Sequence, residues 1–153
     1  MPEAPRVYLD ANVYLAWIRG EEGRVDTARE LLAAGEQDRL AIVASTLLYA
    51  EVCGHGEVRS ADDAEVDAKI GNFFDRGFIR WVELDLPIAR LARTLSRSYR
   101  LRGADAVHLA SAIRGRAERF MTWDSKDFPI SQNIDGMIVQ EPEAYGQGAL
   151  SFE

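Results

Sequence analysis

A single cysteine, Cys53, stands among 153 residues. One thiol cannot close an internal disulfide, which excludes the small disulfide-stapled folds and points to a reducing cytoplasm. Lysine is nearly absent: of 18 basic residues only Lys69 and Lys126 are lysine. The rest are arginine, whose planar fork suits recognition of phosphate or carboxylate groups. No apolar run approaches the roughly 18 residues that cross a bilayer, and Met1-Pro2-Glu3-Ala4-Pro5-Arg6 has no signal-peptide core. Positive charge is in deficit, with a net charge of −7. That argues against general nucleic-acid binding, which favours basic surfaces. An acidic surplus is also what a carboxylate-rich metal site would contribute to. Internal repeats, low-complexity tracts and linkers are missing too, so the expectation is one domain over 1–140 followed by a tail, 141–153.

What is present alternates. Val7-Tyr8-Leu9 is a β-prone run ending at Asp10. Val13 to Ile18 is apolar nearly all round, a helix that Asn12 can cap, with Tyr14, Trp17 and Ile18 either in the core or at a subunit contact. Arg24 to Ala34 is an amphipathic helix stopped by Gly35, and Leu40 to Ala44 is a continuous apolar run of buried-strand length. Ser45 or Thr46 caps the next helix, which carries Glu51. Ser60 opens a helix with the stripe Val66, Ile70, Phe73 and Phe74; Ile79 to Leu84 reads as a strand. Pro87 sits in the first turn of a helix reaching Tyr99. At about 100° per residue, Arg90, Arg93, Arg97 and Arg100 share the face opposite Ile88, Leu91, Ala92 and Leu95. A further helix carries Asp105 in its first turn, where an Asp also serves to cap free N–H groups. Arg119 to Trp123 and Met137 to Val139 are the last strands. Strands alternating with helices predict an α/β domain with a mainly parallel sheet, because parallel strands need crossover helices.

In such a sheet, strand C-termini and the helix starts that follow them share one edge, where ligands bind. Asp10 and Asp124 end strands, and Glu51 and Asp105 lie in the opening turns of helices. These four carboxylates therefore converge. Two carboxylates 4 Å apart repel by about 4 kcal/mol at an effective dielectric of 20. A divalent cation is the usual offset, and an all-oxygen donor set suits Mg²⁺ or Mn²⁺.

Four pieces of the chain resemble the PIN-domain ribonucleases, and within them the VapC-type toxins of bacterial toxin–antitoxin pairs. They are Tyr8-Leu9-Asp10-Ala11-Asn12, Thr46-Leu47-Leu48-Tyr49-Ala50-Glu51, Gly103 to Ala112 around Asp105, and Phe120 to Phe128 around Asp124. Each alone is weak; in this order and spacing they are specific. The resemblance implies a three-layer α/β/α sandwich. It maps an acidic site onto Asp10, Glu51, Asp105 and Asp124, with Asp127 in support. It further implies dependence on Mg²⁺ or Mn²⁺, cleavage of RNA (tRNA in some members), a homodimer, and inhibition by a small VapB-type antitoxin. Asp10, Asp105 and Asp124 would ligate the metal, and Glu51 would complete the shell. Asn12 would touch substrate or hold Asp10, and Thr46 would position a phosphate or Glu51. The arginine stripe reads either as a solvated face or as a contact for RNA backbone or an acidic antitoxin segment; Arg97, Arg100 and Arg102, which lead into Asp105, are the best RNA-contact candidates.

The same residues bear on other chemistries. Histidine acid–base cleavage needs two positioned groups, and only His55 and His108 exist; both read as structural or surface residues. Cys53-Gly54-His55-Gly56-Glu57 is too tightly spaced for a structural zinc site. A haloacid-dehalogenase-like phosphatase would use Asp10 as nucleophile, but position 12 is Asn where the phosphatases carry a second Asp. A non-catalytic binding module on the same fold would have no need of all four carboxylates.

Overall fold

The computed structural model describes residues 3–53 and 61–143. His55, the Gly54–Glu57 part of the cysteine–histidine cluster, Ser60 and the tail from 144 lie outside the described residues. Six strands form one sheet: β1 (Arg6–Leu9), β2 (Ala41–Ser45), β3 (Arg80–Val82), β4 (Arg119–Met121), β5 (Asn133–Ile134) and β6 (Met137–Gln140). Their spatial order is β3-β2-β1-β4-β6-β5, parallel except for the antiparallel β5–β6 hairpin. The helices are α1 (Ala11–Arg19), α2 (Val25–Glu36), α3 (Thr46–Cys53), α4 (Ala61–Phe74), α5 (Leu86–Tyr99) and α6 (Gly103–Arg114). Among the described residues no helix is long and apolar enough to cross a membrane.

The apolar runs are buried on both faces, and alternate residues feed two separate cores. Val7, Leu9, Ile42, Ala44 and Met121 pack with α1 to α4. Tyr8, Val43, Phe120 and Val139 pack with α5 and α6. The result is the expected three-layer α/β/α sandwich. Tyr8 and Phe120, register partners on β1 and β4, stack at 5.1 Å between centroids and 6° between planes.

Several local expectations shift. Strand β3 is shorter than the run Ile79–Leu84, and Leu84 is exposed. Tyr14 is fully buried within the chain and therefore unavailable for a subunit contact; Trp17 and Ile18 are partly buried against the same core. Asn12 does not cap α1. Asp10 does, accepting the Ala11 N–H at 2.9 Å, and Asn12 lies inside the helix. At α3 it is Ser45, not Thr46, whose hydroxyl accepts the Leu47 N–H, at 3.1 Å. Arg100 leaves the α5 arginine face because it is the left-handed C-cap of that helix, at φ 55°. The hairpin β5–β6 adds a strand that the apolar pattern does not announce. It turns at Asp135 and Gly136, both at positive φ, the conformation that an Asp-Gly pair supplies to a two-residue turn.

The chain runs from β1 outward through β2 to β3, then returns to the other side of β1 with β4. The order in which strands are added thus reverses between the parallel neighbours β1 and β4, which opens a crevice at their C-terminal ends.

Candidate active site

Asp10 follows β1 directly at this crevice and is only 8% exposed. Its carboxylate is held by three donors. The Ala11 N–H reaches Oδ1, while the Thr122 hydroxyl (2.8 Å) and the Asn12 amide (3.3 Å) reach Oδ2. A carboxylate has about four lone-pair sites, so room for one more partner remains on Oδ1. Burial raises the Asp10 pKa above the usual carboxylate range; the Thr122 hydrogen bond pulls it back in part.

Thr122 ties the end of β4 to the end of β1. Its Oγ1 donates to Asp10 and accepts from the Asn12 amide and from the Asp124 N–H, both at 3.0 Å. The Asn12 carbonyl oxygen accepts the Trp123 N–H at 3.4 Å. Asn12 therefore holds Asp10 and the β4 loop together. Asp124, three residues beyond β4, in turn accepts the Asp127 N–H at 3.0 Å, which shapes the loop carrying both acids.

Asp105 lies in the first turn of α6, yet among the described residues its carboxylate caps no backbone N–H; the N-cap is Arg102, also without a side-chain cap bond. The capping role is thus unfilled, and the carboxylate is open to another partner. Its pKa is raised, first by burial and then by the charges of Asp127, Asp10 and Asp124. Glu51 acts on Asp10 in the same sense. All four expected carboxylates, and Asp127, therefore act on Asp10 or Asp105.

Glu51 reaches the group through a residue that sequence reasoning placed elsewhere. His108, 2% exposed, puts Nε2 at 2.9 and 3.1 Å from the two Glu51 oxygens. Its Nδ1 is 2.6 Å from the Tyr8 hydroxyl, which accepts the Ser45 N–H at 3.2 Å. One signal for His108 existed: it is three residues after Asp105, on the same helix face.

Arg100 and Arg102 share a cleft with Lys126, and Asp105 and Asp127 line it too. Arg90, Arg93 and Arg97 line a separate groove along α5. Among the described residues these five arginines have no carboxylate partner, whereas Arg6, Arg24, Arg29 and Arg76 pair with acids. Thr46 is exposed at the start of α3 and is not what holds Glu51.

The donor chemistry fits a hard divalent cation: carboxylates that raise one another's pKa, with a lone pair left on Asp10 Oδ1 and the Asp105 carboxylate without a cap bond. Among the described residues, however, no three His, Cys, Asp or Glu side chains stand close enough to close around an ion. The acids act on one another's charge without meeting at one point.

Comparison with known proteins is consistent with this arrangement. Curated protein sequences yield no significant match. Solved structures do. A toxin–antitoxin complex from Klebsiella pneumoniae matches with a TM-score of 0.63 at 21% identity, over 86% of this chain and 95% of that one. VapBC2 from Rickettsia felis, bound to a DNA fragment from its promoter, matches at 0.64 and 17%, over 90% and 99%. DNA-bound VapBC from Salmonella typhimurium matches at 0.65 and 15%, over 90% and 98%. At these identities the likeness is one of fold. The PIN domain family model matches residues 7–129, a span that holds Asp10, Glu51, Asp105 and Asp124. With most of its length matched by that model, this chain belongs to the PIN domain family.

Proposed function

We propose that the protein is a divalent-metal-dependent endoribonuclease, the toxin half of a VapC-type toxin–antitoxin pair acting in the cytoplasm. The observation that carries this reading is the convergence of Asp10 and Asp105, both with raised pKa values, beside Asp124 at the C-terminal edge of the sheet. Mg²⁺ or Mn²⁺ held by Asp10, Asp105 and Asp124 would lower the pKa of a bound water and neutralise charge on the scissile phosphate.

The chain's own residues supply the rest. Asp10 is locked by Ala11, Thr122 and Asn12, so its free lone pair is aimed before anything binds. Asp105 has no competing cap bond. Glu51 is held at its own position by His108. The Arg100–Arg102–Lys126 cleft touches Asp105 and would receive the phosphates flanking the cleaved bond. Its cations are local, so a chain of net charge −7 still offers RNA a positive entry beside the acids. Arg97 lines the separate groove along α5 and would contact RNA there, apart from that cleft. A VapB-type antitoxin is the proposed partner, in keeping with the toxin–antitoxin complexes that share the fold. A homodimer is proposed from family resemblance, since the first helix spends its apolar surface on the chain's own core.

Purified protein incubated with total RNA, with and without Mg²⁺, tests the reading. Cleavage is expected only with metal, and is lost in Asp10→Asn and Asp105→Asn. Cleavage that is equal in all samples, or absent under every metal, would refute it.

A further inference from the structure

We infer that His108 is a positioning residue that fixes the Glu51 carboxylate at the site, with its proton-bearing nitrogen selected by Tyr8. The inference rests on the nuclease reading for its catalytic consequence, but its structural content stands apart from it.

Glu51 projects from an exposed position on α3, and its side chain is about one-third exposed, 35%. A glutamate in that setting samples several rotamers unless something holds it, and here His108 does. His108 comes from the opposite layer, on α6, and is buried. A buried imidazole needs partners for both nitrogens. Tyr8 decides which nitrogen carries the proton. The Tyr8 oxygen accepts the Ser45 N–H, and among the described residues His108 Nδ1 is the acceptor within reach of its own hydroxyl proton, which a buried O–H needs. Burial holds the phenol pKa well above its usual range, which keeps that proton in place. With Nδ1 accepting, the neutral ring bears its proton on Nε2, and Nε2–H donates to the carboxylate as a charge-assisted bond.

The chain of bonds thus runs Ser45 N–H, Tyr8 O–H, His108 Nε2–H, Glu51. It links β2, β1, α6 and α3. Its effect is to tie Glu51 to the helix that carries Asp105, so that two acids distant in sequence are set by one rigid element. Any buried histidine needs partners for both nitrogens; what sets His108 apart is that one of them is the part-exposed carboxylate of a candidate site residue. Orienting partners of this kind typically change activity or metal affinity by about 10- to 100-fold when removed.

The full-length protein tests this with His108→Leu, His108→Gln and Tyr8→Phe, together with a long-range ¹H–¹⁵N spectrum of the imidazoles at pH 8. The wild-type spectrum is expected to show His108 protonated on Nε2, and Tyr8→Phe to give a mixture of tautomers. In RNA cleavage, His108→Leu is expected to lower kcat about 10- to 100-fold with KM within about twofold. His108→Gln, whose amide can still donate to Glu51, should recover several-fold over Leu. A wild-type ring protonated on Nδ1 would overturn the inference, as would a folded His108→Leu that turns over normally, or Gln no better than Leu. Should His108→Leu fail to fold, the tautomer spectrum and the Gln variant still decide. If the wild type cuts no RNA, the nuclease reading falls, while the spectrum still settles whether Tyr8 and His108 hold Glu51.

Discussion

The Thr122 hydroxyl donates to Asp10 Oδ2 at 2.8 Å, across 112 positions of sequence. It is the largest of the influences that hold the buried Asp10 carboxylate in its charged form. Thr122→Val, nearly isosteric, removes that donor and leaves burial less opposed. The Asp10 pKa then rises further, so the acidic limb of the RNA-cleavage profile moves to higher pH, while Thr122→Ser leaves it in place. An under-satisfied buried carboxylate also costs about 1–3 kcal/mol of stability at neutral pH, readable by urea unfolding. A Thr122→Val profile superimposable on the wild type would show that Thr122 does not tune Asp10.

The raised pKa values of Asp10 and Asp105 set a direction for stability against pH. In both, the folded state binds its proton more tightly than the unfolded chain. Their stabilising contribution is complete below the unfolded carboxylate pKa of about 3.9 and is lost as pH rises through the folded values. The metal-free protein should therefore gain stability at neutral pH from Asp105→Asn, which removes repulsion from Asp127, Asp10 and Asp124. A rise in Tm of about 2 °C at pH 7, and none at pH 3.5, is expected for a domain of this size. An unchanged Tm at both pH values would mean that the acids do not feel one another.

Millimolar Mg²⁺ should oppose the same repulsion by binding the folded state. At 100 times its Kd the linkage is about 2.7 kcal/mol, a shift of several degrees in Tm. Thermal melts with and without Mg²⁺ check this, and Asp10→Asn should abolish the shift. A shift that persists in Asp10→Asn would place the ion elsewhere.

Arg102 and Lys126 face the cleft that contains Asp105. If they receive RNA phosphates, the double variant Arg102→Ala, Lys126→Ala should raise KM about 3- to 10-fold with kcat within twofold, a loss of uniform binding. It should also reduce the salt dependence of binding, since each phosphate left without its cation lowers the slope by about one. An unaltered salt slope would rule the pair out.

Gly115 follows α6 where that helix presses on β2. A Cβ there would meet Val43 Cγ1 at 2.5 Å and Val82 Cγ2 and the Ser111 carbonyl at 3.2 Å. Gly115→Ala should cost about 1–3 kcal/mol, because an inserted methyl forces shifts in a close-packed core. Denaturant unfolding measures it, and a loss under about 0.5 kcal/mol, the range of a neutral surface change, would show that α6 can move away from the sheet.

Much of the fold is readable in the sequence because its signals are local. The run at β2 is apolar without alternation and of strand length, which fits a sheet covered on both faces. Asp10 and Asp124 are placed at one edge by strand direction alone. What the sequence does not resolve depends on competition between neighbours. Asn12 and Asp10 are both good caps, and only the position of Thr122 shows why Asp10 takes that role while Asn12 bridges the strands. Arg100 continues the arginine spacing in sequence, yet α5 has already ended there. The Asp135-Gly136 pair is a turn signal, but β5 is too short, at two residues, to show a strand pattern beside it.

Composition and order by themselves determined an α/β fold with a mainly parallel sheet, and the edge at which Asp10 and Asp124 follow their strands. Those follow from periodicity and strand direction, which each segment carries within itself. The tertiary structure decided which acids are restrained and by what. Asp10 is fixed by Thr122 and Glu51 by His108, while Asp105 stays uncapped because its expected backbone bond is not made. Such assignments depend on which side chains meet across roughly 50 to 110 positions of sequence, and a hydrogen bond is settled by tenths of an ångström that no spacing encodes.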